Sequence, residues 1–483
     1  MFLGIDIGTS SVKAVLTDAD GAVAASASRP CTVSRPHPLW SEQEPEDWVA
    51  AAVAAVDELA ERQPAALAVV LGIGFSGQMH GAVLLGDDNR VLRPAILWND
   101  GRSHRQCATL EERLPTLRAI SGNIAMPGFT APKLLWVADE EPDIFAALAK
   151  VLLPKAYVRW RFTGAMVEEM SDASGTLWLD VGRRDWSDDL LAATAMTRAH
   201  MPDLAEGSDA VARLSPDLAR RWGMREPPVV AGGAGDCAAS AVGLGAIAPG
   251  DGFLSLGTSG VLWRTTDRFL PNPALAVHAF CHALPGVWHQ MGVMLSSAAS
   301  LAWAASTLGT PEAELLAPLG DTVDGPSPVA FLPYLSGERT PHNDATVRGL
   351  FAGLSAETGR HALVQAVLEG VAFAARDNLV ALGEGAPTSF DLAGGGSRSR
   401  LWARICADAL GVTIHRIEDG EVGAALGAAH LGRMAATGEA PATVCRKPRR
   451  LETFTPDPAR ADAYSQAWLR WRRLYPLAKE FAS

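Results

Sequence analysis

Residues 4–13 read Gly-Ile-Asp-Ile-Gly-Thr-Ser-Ser-Val-Lys, a short apolar strand followed by a turn of glycine and hydroxyl residues. The strand carries one acid, Asp6, and an acid on a buried strand costs free energy unless it meets a cation or hydrogen-bond donors. The turn that begins at Gly8 offers backbone N–H groups and hydroxyls to an anion. Taken alone, the stretch favours an ordinary β-hairpin, but the acid and the donors together suit a metal-assisted phosphate site.

A second copy of this pattern lies half a chain length further on. Residues 253–261 read Phe-Leu-Ser-Leu-Gly-Thr-Ser-Gly-Val, which is again a strand, a Gly-Thr-Ser turn and a returning strand. A repeat at that period predicts two halves built alike, each offering a phosphate hairpin to one shared cleft. Ser255 stands where the first copy has Asp6, so the acid belongs to the first half alone.

Composition and charge narrow the classes of protein. The chain has 483 residues, 48% hydrophobic and 20% charged, which is typical of soluble globular proteins. Its net charge of −12 disfavours nucleic acid and anionic membranes as partners. The chain enters a strand at once, without the features of a signal peptide, and no apolar run reaches membrane-spanning length. Six scattered cysteines without a C-x-x-C pair predict reduced thiols in a cytoplasmic protein, with neither a zinc site nor disulfides.

The local patterns predict an α/β organisation with a boundary near Pro249-Gly250-Asp251-Gly252, dividing the chain into residues 1–248 and 249–483. Residues 41–44 (Ser-Glu-Gln-Glu) resemble a capping box, followed by a helix from Pro45 to about Arg62. A long helix is predicted over about 360–382. A small-residue helix starts at Gly423, where it could pack beneath the glycine turn at 394–396.

An aromatic stripe follows near the end of the chain, at helical spacing. It is typical of a docking face rather than of a ligand site, and its members are Tyr464, Trp468, Trp471 and Tyr475.

Polar residues follow two predicted strands at the edge where open α/β sheets bind ligands. Gln78, Met79 and His80 come after a buried strand predicted over 68–75. The run Trp98-Asn99-Asp100-Gly101-Arg102 follows a strand predicted over 91–97. These side chains are candidate pocket residues, and a purely structural role suits each of them about as well.

Two glycine clusters mark further turns from strand to helix. Residues 231–236 read Ala-Gly-Gly-Ala-Gly-Asp and place Asp236 at a helix N-terminus, where it could be only a helix cap. Residues 392–399 (Leu-Ala-Gly-Gly-Gly-Ser-Arg-Ser) suit the close approach of a ligand to the backbone. The sequence has neither GxxxxGK[ST] nor the HRD and DFG motifs, which excludes P-loop enzymes and protein kinases.

These motifs together resemble the FGGY carbohydrate kinases of the sugar kinase–actin–Hsp70 fold, and within that family most closely the xylulokinases. The resemblance runs from residue 1 to about residue 435, and its most specific stretches are 6–10, 34–43, 77–81, 96–102, 126–133, 254–260 and 332–342. It implies two ribonuclease H-like domains of the actin/hexokinase ATPase type, related by internal duplication, with the active-site cleft between them.

The resemblance also implies roles for the two acids. Asp236 matches the family's general base, which accepts a proton from the attacking sugar hydroxyl, and its helix N-terminus is expected to keep it ionised. Asp6 matches the acid that holds Mg²⁺, through water. Xylulokinases usually carry Asn after the base, whereas this chain has Cys237.

Further roles follow from the resemblance for ATP and for the sugar. The residues implied in nucleotide binding are Thr9, Ser10, Ser11, Lys13, Gly257, Thr258, Gly395, Gly396 and Ser397. Those implied in sugar binding are Gln78, Met79, His80, Trp98, Asn99, Arg102 and Asp236. Met79-His80 stands where glycerol kinases carry Arg-Glu, which favours a ketopentose; His80 would bond sugar hydroxyls and Met79 would contribute shape.

The resulting hypothesis is ATP-dependent phosphorylation of D-xylulose at O5, with Mg²⁺ as the cofactor, sugar and ATP as the small-molecule partners, and a homodimer as a family expectation. A kinase for another ketopentose or a pentitol is the alternative on the same scaffold. An actin- or Hsp70-like nucleotide switch is the alternative from another class, and sugar-independent ATPase activity would favour it.

Overall fold

The computed structural model describes residues 1–418 and 423–482. The first of its two large sheets has the strand order β5-β6-β4-β1-β2-β3, and a short strand, β7, also pairs with β4. Its strands are Phe2–Ile7 (β1), Ser11–Thr17 (β2), Val23–Pro30 (β3), Gly72–Gly77 (β4), Ala210–Arg213 (β5), Val229–Ala231 (β6) and Ala234–Gly235 (β7).

The second sheet has the order β10-β11-β9-β8-β12-β13-β14. Its strands are Gly252–Leu256 (β8), Gly260–Thr266 (β9), His278–Cys281 (β10), Trp288–Met294 (β11), Ser389–Ala393 (β12), Thr413–Ile417 (β13) and Arg450–Phe454 (β14).

The two sheets share one plan around their first strands. In the first sheet, β1 pairs antiparallel with β2 and parallel with β4. In the second, β8 pairs antiparallel with β9 and parallel with β12. We call residues 2–17 hairpin 1 and residues 252–266 hairpin 2. The repeat in the sequence is therefore a repeat in topology as well.

Helices cover both sheets. In the first half they are Pro45–Arg62 (α1), Pro64–Leu67 (α2), His104–Arg113 (α3), Leu117–Ser121 (α4), Thr130–Glu140 (α5), Pro142–Ala146 (α6), Pro154–Thr163 (α7), Met170–Ser174 (α8), Asp188–Ala192 (α9), Pro216–Arg221 (α10) and Asp236–Gly243 (α11). In the second half they are Ala298–Leu308 (α12), Glu312–Leu316 (α13), Arg360–Leu382 (α14), Arg400–Leu410 (α15), Gly423–Thr437 (α16), Pro441–Val444 (α17), Pro458–Trp471 (α18) and Leu474–Ala482 (α19).

Short strands pair outside the two sheets. They are Glu42–Gln43 with Ala95–Ile96, Val83–Leu85 with Lys150–Leu152, Val167–Glu169 with Asp203–Ala205, Leu179–Asp180 with Asp185–Trp186, and Ala330–Leu332 with Leu350–Ala352. None of the helices within residues 1–418 and 423–482 has both the length and the apolar character needed to cross a membrane.

One helix of the second half packs on the sheet of the first. The body of α16 lies against β1 and β4 and against α11. Only glycine allows this approach: a Cβ atom on Gly4 would lie 1.9 Å from the Ala425 carbonyl oxygen, and one on Gly74 would lie 1.8 Å from that of Ala428. The first turn of α16 does line a cavity beside Gly394 and Gly395, but the expected packing beneath that glycine turn is wrong for the rest of the helix.

Several predicted elements need correction. The strand predicted over 68–75 starts only at Gly72, because residues 64–67 form a helical turn. The strand predicted over 91–97 is reduced to residues 95–96. The capping box is wrong: Glu44 caps α1 without a side-chain hydrogen bond, and the Gln43 side chain instead donates to the Thr9 carbonyl at 2.8 Å. The helices predicted from Pro45 and over 360–382 are confirmed.

The aromatic stripe docks on its own chain. Tyr464 and Trp471 are buried, and the helix breaks between Trp471 and Leu474. The Trp471 indole donates to the Phe331 carbonyl at 2.7 Å, and the Tyr475 hydroxyl donates to Asp344 at 3.1 Å. The stripe thus fixes the last helices to the second half, as a docking face does.

Candidate active site

Asp6 lies near the end of β1 with a defined neighbour on each side. It is opposite Lys13 on β2 and opposite Ser76 on β4. The Ser76 hydroxyl donates to Asp6 Oδ1 at 2.7 Å. Burial raises the pKa of Asp6, while the Ser76 hydrogen bond and the Lys13 charge act to lower it.

The space in front of Asp6 is a cavity of about 400 Å³ between the halves. Asp6 and Lys13 line it from the first half, Ser255 and Gly395 from the second, and the first turn of α16 closes one side. Because α16 runs antiparallel to β1, the positive end of its helix dipole lies at this cavity, which Gly423, Ala424 and Ala425 line. Such a site favours an anion such as phosphate.

Asp236 is the first residue of α11, whose next turns also line this cavity through Cys237 and Ser240. Burial and then the charge of Asp6 raise its pKa to about 6, against the hydrogen bond from the Cys237 amide at 2.7 Å. The pKa is thus raised overall, and the expectation that Asp236 is ionised still agrees with this value. The carboxylate is still mostly ionised at pH 7, and its pKa suits a general base.

Cys237 adds a thiol beside the base. Burial, followed by the charge of Asp236, raises the pKa of Cys237 well above its usual range. At neutral pH the group is therefore a thiol rather than a reactive thiolate. It lines the cavity as a small, nearly apolar side chain.

A second cavity, of about 860 Å³, lies on the second half. Four of the predicted nucleotide-binding residues line it: Gly257, Thr258, Gly395 and Gly396. Its other walls include apolar side chains of α12 and the start of α15. Ser397 is not among the lining residues, and its carbonyl accepts a hydrogen bond from Arg416 at 2.8 Å.

The turn of hairpin 2 is fixed by the N-terminus of α12. The Ala298 amide donates to the Gly257 carbonyl at 2.8 Å, and the Ser297 amide donates to that of Thr258 at 3.0 Å. Because the N–H of a trans peptide points opposite to its C=O, the Thr258 and Ser259 amides point away from α12.

The turn of hairpin 1 is joined to residues predicted for sugar binding. The Thr9 hydroxyl donates to Gln78 Oε1 at 2.9 Å and accepts from the Trp98 indole at 3.0 Å. Gln78 is buried and also donates to Gln43 at 3.0 Å. The structure therefore uses Gln78 to hold the hairpin, and leaves Ser10 exposed at the tip with Ser11 half-buried behind it.

Met79 and His80 lie beside the turn that carries Asp236. A Cβ atom on Gly235 would lie 2.9 Å from Met79 Cγ and Sδ, so Met79 packs directly on the residue before the base. His80 has a positive φ of 69°, and its Nδ1 lies 2.7 Å from the Gly175 carbonyl. Because a carbonyl only accepts, Nδ1 carries the proton and Nε2 is left as an acceptor.

His80 is held in this conformation by two residues of α5, Thr130 and Lys133, to which the sequence alone assigned no role. Lys133 Nζ donates to the His80 carbonyl at 2.8 Å, and the Thr130 hydroxyl donates to it at 3.1 Å. Burial lowers the pKa of Lys133 to about 7. Burial, and after it the charge of Lys133, lowers the pKa of His80 to about 3. The imidazole is therefore neutral at pH 7. A lysine within the otherwise apolar run 131–137 was the available signal.

The other residues predicted to bind sugar do not line the cavity in front of Asp6; they are Trp98, Asn99 and Arg102. Arg102 is buried, donates to Asp100 and Glu42, and stacks on the Trp40 ring at 3.7 Å. Its guanidinium is thus committed to a structural network. Asn99 is exposed and lines an outer groove formed with residues 35–41. Trp98, 45% exposed, is the member of this run that reaches hairpin 1.

Three carboxylates elsewhere could hold a metal by their spacing: Glu168, Glu169 and Asp172. The cation between them is the protein's own, because Lys155 Nζ lies 2.7, 3.1 and 3.5 Å from their oxygens. Asp6 has different surroundings: its oxygen faces a cavity, and no ion pair within 4.0 Å involves it in the described part of the chain. A hard oxygen donor at the edge of an anion site is the chemistry that Mg²⁺ prefers.

The fold and this cleft define a two-domain ATPase of the actin/hexokinase type. The family of FGGY carbohydrate kinases matches the chain twice, through its N-terminal domain at residues 1–243 and its C-terminal domain at residues 252–436. The chain therefore belongs to the FGGY family of carbohydrate kinases.

Curated and solved relatives span the whole chain. The xylulose kinase of Escherichia coli K12 is 49% identical, covering 98% of this chain and 98% of its own length. A solved "xyloylose kinase" from Brucella ovis is 52% identical with a TM-score of 0.96, and the xylulose kinase of Rhodospirillum rubrum is 31% identical with a TM-score of 0.91. Each of these two solved structures covers 99% of both chains.

Proposed function

We propose that this protein transfers the γ-phosphoryl group of ATP to O5 of D-xylulose, giving D-xylulose 5-phosphate and ADP. The observation that carries the proposal is the placement of two acids at one cavity between two Gly-Thr-Ser hairpins: Asp6 lines the cavity, and Asp236 begins α11, which lines it through Cys237 and Ser240. The xylulose kinases that match the full chain support the choice of sugar.

In this mechanism the adenosine part of ATP occupies the larger cavity, and the phosphates lie between the two hairpins. Backbone N–H groups of both turns, the α16 N-terminus and Lys13 offset the phosphate charge. Phosphoryl transfer depends mainly on such positioning and charge stabilisation. Mg²⁺ held near Asp6, through water, would neutralise charge on the phosphates when it is bound.

The sugar lies on the Met79–His80 side of Asp236. His80 Nε2 accepts a hydrogen bond from one sugar hydroxyl, and Met79 limits the shape of the pocket. Asp236 accepts the proton of the O5 hydroxyl as oxygen attacks phosphorus and the bond to the β-phosphate oxygen breaks. The proton passes to solvent after product release, which restores the base.

The base is tested by Asp236→Asn, which keeps the size of the side chain but removes its charge. We expect kcat to fall by roughly 10²- to 10⁴-fold, while calorimetry still detects ATP and sugar binding. Asp87→Asn changes an exposed acid of the same half and serves as the matched control. Full turnover by Asp236→Asn would reject the assignment.

The substrate is tested by coupled ADP release across pentuloses, pentitols and glycerol. Turnover on D-xylulose with the highest kcat/KM supports the proposal, and higher kcat/KM on another polyol would replace the sugar. ATP hydrolysis unchanged by any sugar would instead favour a nucleotide switch.

We also propose that the protein works in the cytoplasm, where ATP is available, and as a homodimer. The free state of all six cysteines is compatible with a reducing compartment. Light scattering of the purified chain, at a mass of either one or two copies of 50.9 kDa, tests the assembly.

A further inference from the structure

The turn that carries the general base cannot anchor itself with side chains. Residues 232–235 are Gly-Gly-Ala-Gly, and Gly233 has a positive φ of 85°. A Cβ atom on Gly232 would lie 2.3 Å from the Glu206 carbonyl oxygen, so the turn is also tightly enclosed. Because glycine is conformationally permissive, the position of Asp236 depends on hydrogen bonds supplied from outside the turn.

The Asp209 and Gly207 carbonyls accept from the Gly232 and Gly233 amides, and a buried group of charged residues adds side-chain hydrogen bonds. We call Lys155, Arg159, Glu168, Glu169 and Asp172 the support cluster. Glu169 Oε1 accepts from the Gly235 amide at 3.1 Å, and Ser171 Oγ accepts from the same amide at 3.1 Å. At the other end of the turn, Arg159 Nη1 donates to the Gly232 carbonyl. The cluster therefore holds the turn at the two residues that bracket it, and Gly235 immediately precedes the base.

Glu169 is itself fixed from several directions. Its Oε1 also accepts from Lys155 Nζ at 3.1 Å and from the Asp172 amide at 2.8 Å, and its Oε2 accepts from the Ser171 amide at 2.7 Å. Burial acts to lower the pKa of Lys155, but the three carboxylates outweigh it and raise that pKa, so the ammonium stays charged. A carboxylate held in this way presents its oxygen to the Gly235 amide in a single orientation.

Stability alone does not account for these charges. Moving several ions out of water costs several kcal/mol for each, and apolar replacements of similar volume are often as stable. What apolar packing cannot do is fix the direction of an amide N–H. A misplacement of about 1 Å at a reacting group can cost roughly 10²-fold in rate.

We infer that Glu169 is a positioning residue for phosphoryl transfer, acting through the Gly235 amide to hold Asp236 against the sugar hydroxyl. The inference rests on the proposed function, since it gives the base its role. It also links the base to the sugar side, because Met79 packs on Gly235.

Glu168 offers a matched control. Its Oε1 pairs with the same Lys155 Nζ at 2.7 Å and accepts from the Glu169 amide at 3.0 Å. Among the described residues it makes no hydrogen bond to the turn at 232–235. Glu168→Gln and Glu169→Gln therefore remove the same charge from the same cluster, but only the second changes the group that contacts Gly235.

The experiment compares Glu169→Leu, Glu169→Gln and Glu168→Gln by kcat, KM, melting temperature and amide hydrogen exchange over 232–238. We expect Glu169→Leu to lower kcat about 30- to 100-fold, with KM for ATP changed less than about threefold. Glu169→Gln keeps an acceptor oxygen and should recover most of that loss. Glu168→Gln should stay within about threefold of wild type in kcat.

The outcomes separate the two proposals. Failure of the wild type to phosphorylate D-xylulose rejects the proposed sugar, whereas the positioning role is judged from the variants relative to wild type on the best sugar. A loss of kcat in Glu168→Gln as large as that in Glu169→Leu, or a well-folded Glu169→Leu with wild-type kcat, would overturn the role. If Glu169→Leu does not fold, hydrogen exchange decides: faster exchange over 232–238 in Glu169→Gln alone supports it, and equal exchange in both Gln variants overturns it.

Discussion

Asp6 and Ser255 occupy equivalent positions in the two halves, each one residue before the end of the strand that leads into Gly-Thr-Ser. Both strands pair with their neighbours in the same sense, and both residues line the same cavity. The backbone of the hairpin is therefore the shared part, and the carboxylate is an addition to one copy. In the proposed mechanism the duplicated unit would bind phosphate, and the acid would make one copy the metal side.

The largest effect is expected when hairpin 1 is made like hairpin 2. We expect Asp6→Ser to lower kcat by roughly 10³-fold, because the cavity loses the carboxylate proposed to hold the metal and to oppose phosphate charge. ATP binding without Mg²⁺, measured by calorimetry, should change little. A kcat within tenfold of wild type would show that the carboxylate of Asp6 gives hairpin 1 no role that hairpin 2 lacks.

The reverse change makes hairpin 2 like hairpin 1. Ser255→Asp adds a second carboxylate to a cavity that already holds Asp6, and like charges in one buried site oppose both each other and phosphate. We expect KM for ATP to rise about 10- to 100-fold, with a smaller effect on KM for the sugar. Initial rates over a range of ATP concentrations test this, and an unchanged KM for ATP would place Ser255 away from the phosphates.

The acid of hairpin 1 also predicts a pH dependence. Burial and the charge of Asp6 raise the pKa of Asp236 to about 6. Since the base must be ionised, kcat/KM should be level above pH 7 and fall about tenfold for each pH unit below about 6. In Asp6→Asn the repulsion is absent, so the acid limb of the remaining activity should move to lower pH. If the acid limb of the pH profile does not move, the charge of Asp6 does not influence the pKa of Asp236.

The smallest effect is expected from Ser255→Ala. If hairpin 2 needs only its backbone and its Gly-Thr-Ser turn, loss of this hydroxyl should change kcat and KM by less than about threefold. The variant also controls for Ser255→Asp, because it alters the same position without adding charge. A large loss would show that the serine, like Asp6, has a role of its own.

The sequence predicted the features that depend on short stretches of chain. Hairpin 1, the long helix over 360–382 and the place of Asp236 at a helix start each follow from local periodicity and glycine placement. The cleft between two similar halves followed from the repeat. The cavity of about 860 Å³ is lined by the predicted Gly257, Thr258, Gly395 and Gly396, and their role in nucleotide binding stays a prediction.

Features that depend on distant partners were not predictable in the same way. Arg102 comes after a predicted strand, where ligand contacts are common. Its guanidinium instead donates to Glu42, which lies 60 positions away in the sequence. Gln78 is likewise taken up by Thr9. The pKa of Asp236 depends on its burial and on Asp6, which lies far away in sequence, so the raised value could not be predicted from the helix start alone.

The placement of α16 has a consequence for how the protein is made. Chains leave the ribosome N-terminus first, and domains generally begin to fold during synthesis. The face of the first sheet at Gly4, Gly72 and Gly74 is covered by residues 423–437, so it stays bare until nearly all of the chain has been translated. A truncation before residue 437 therefore removes part of the helix that covers the first sheet, although that sheet is translated first. An isolated first half is expected to need α16 to cover this face.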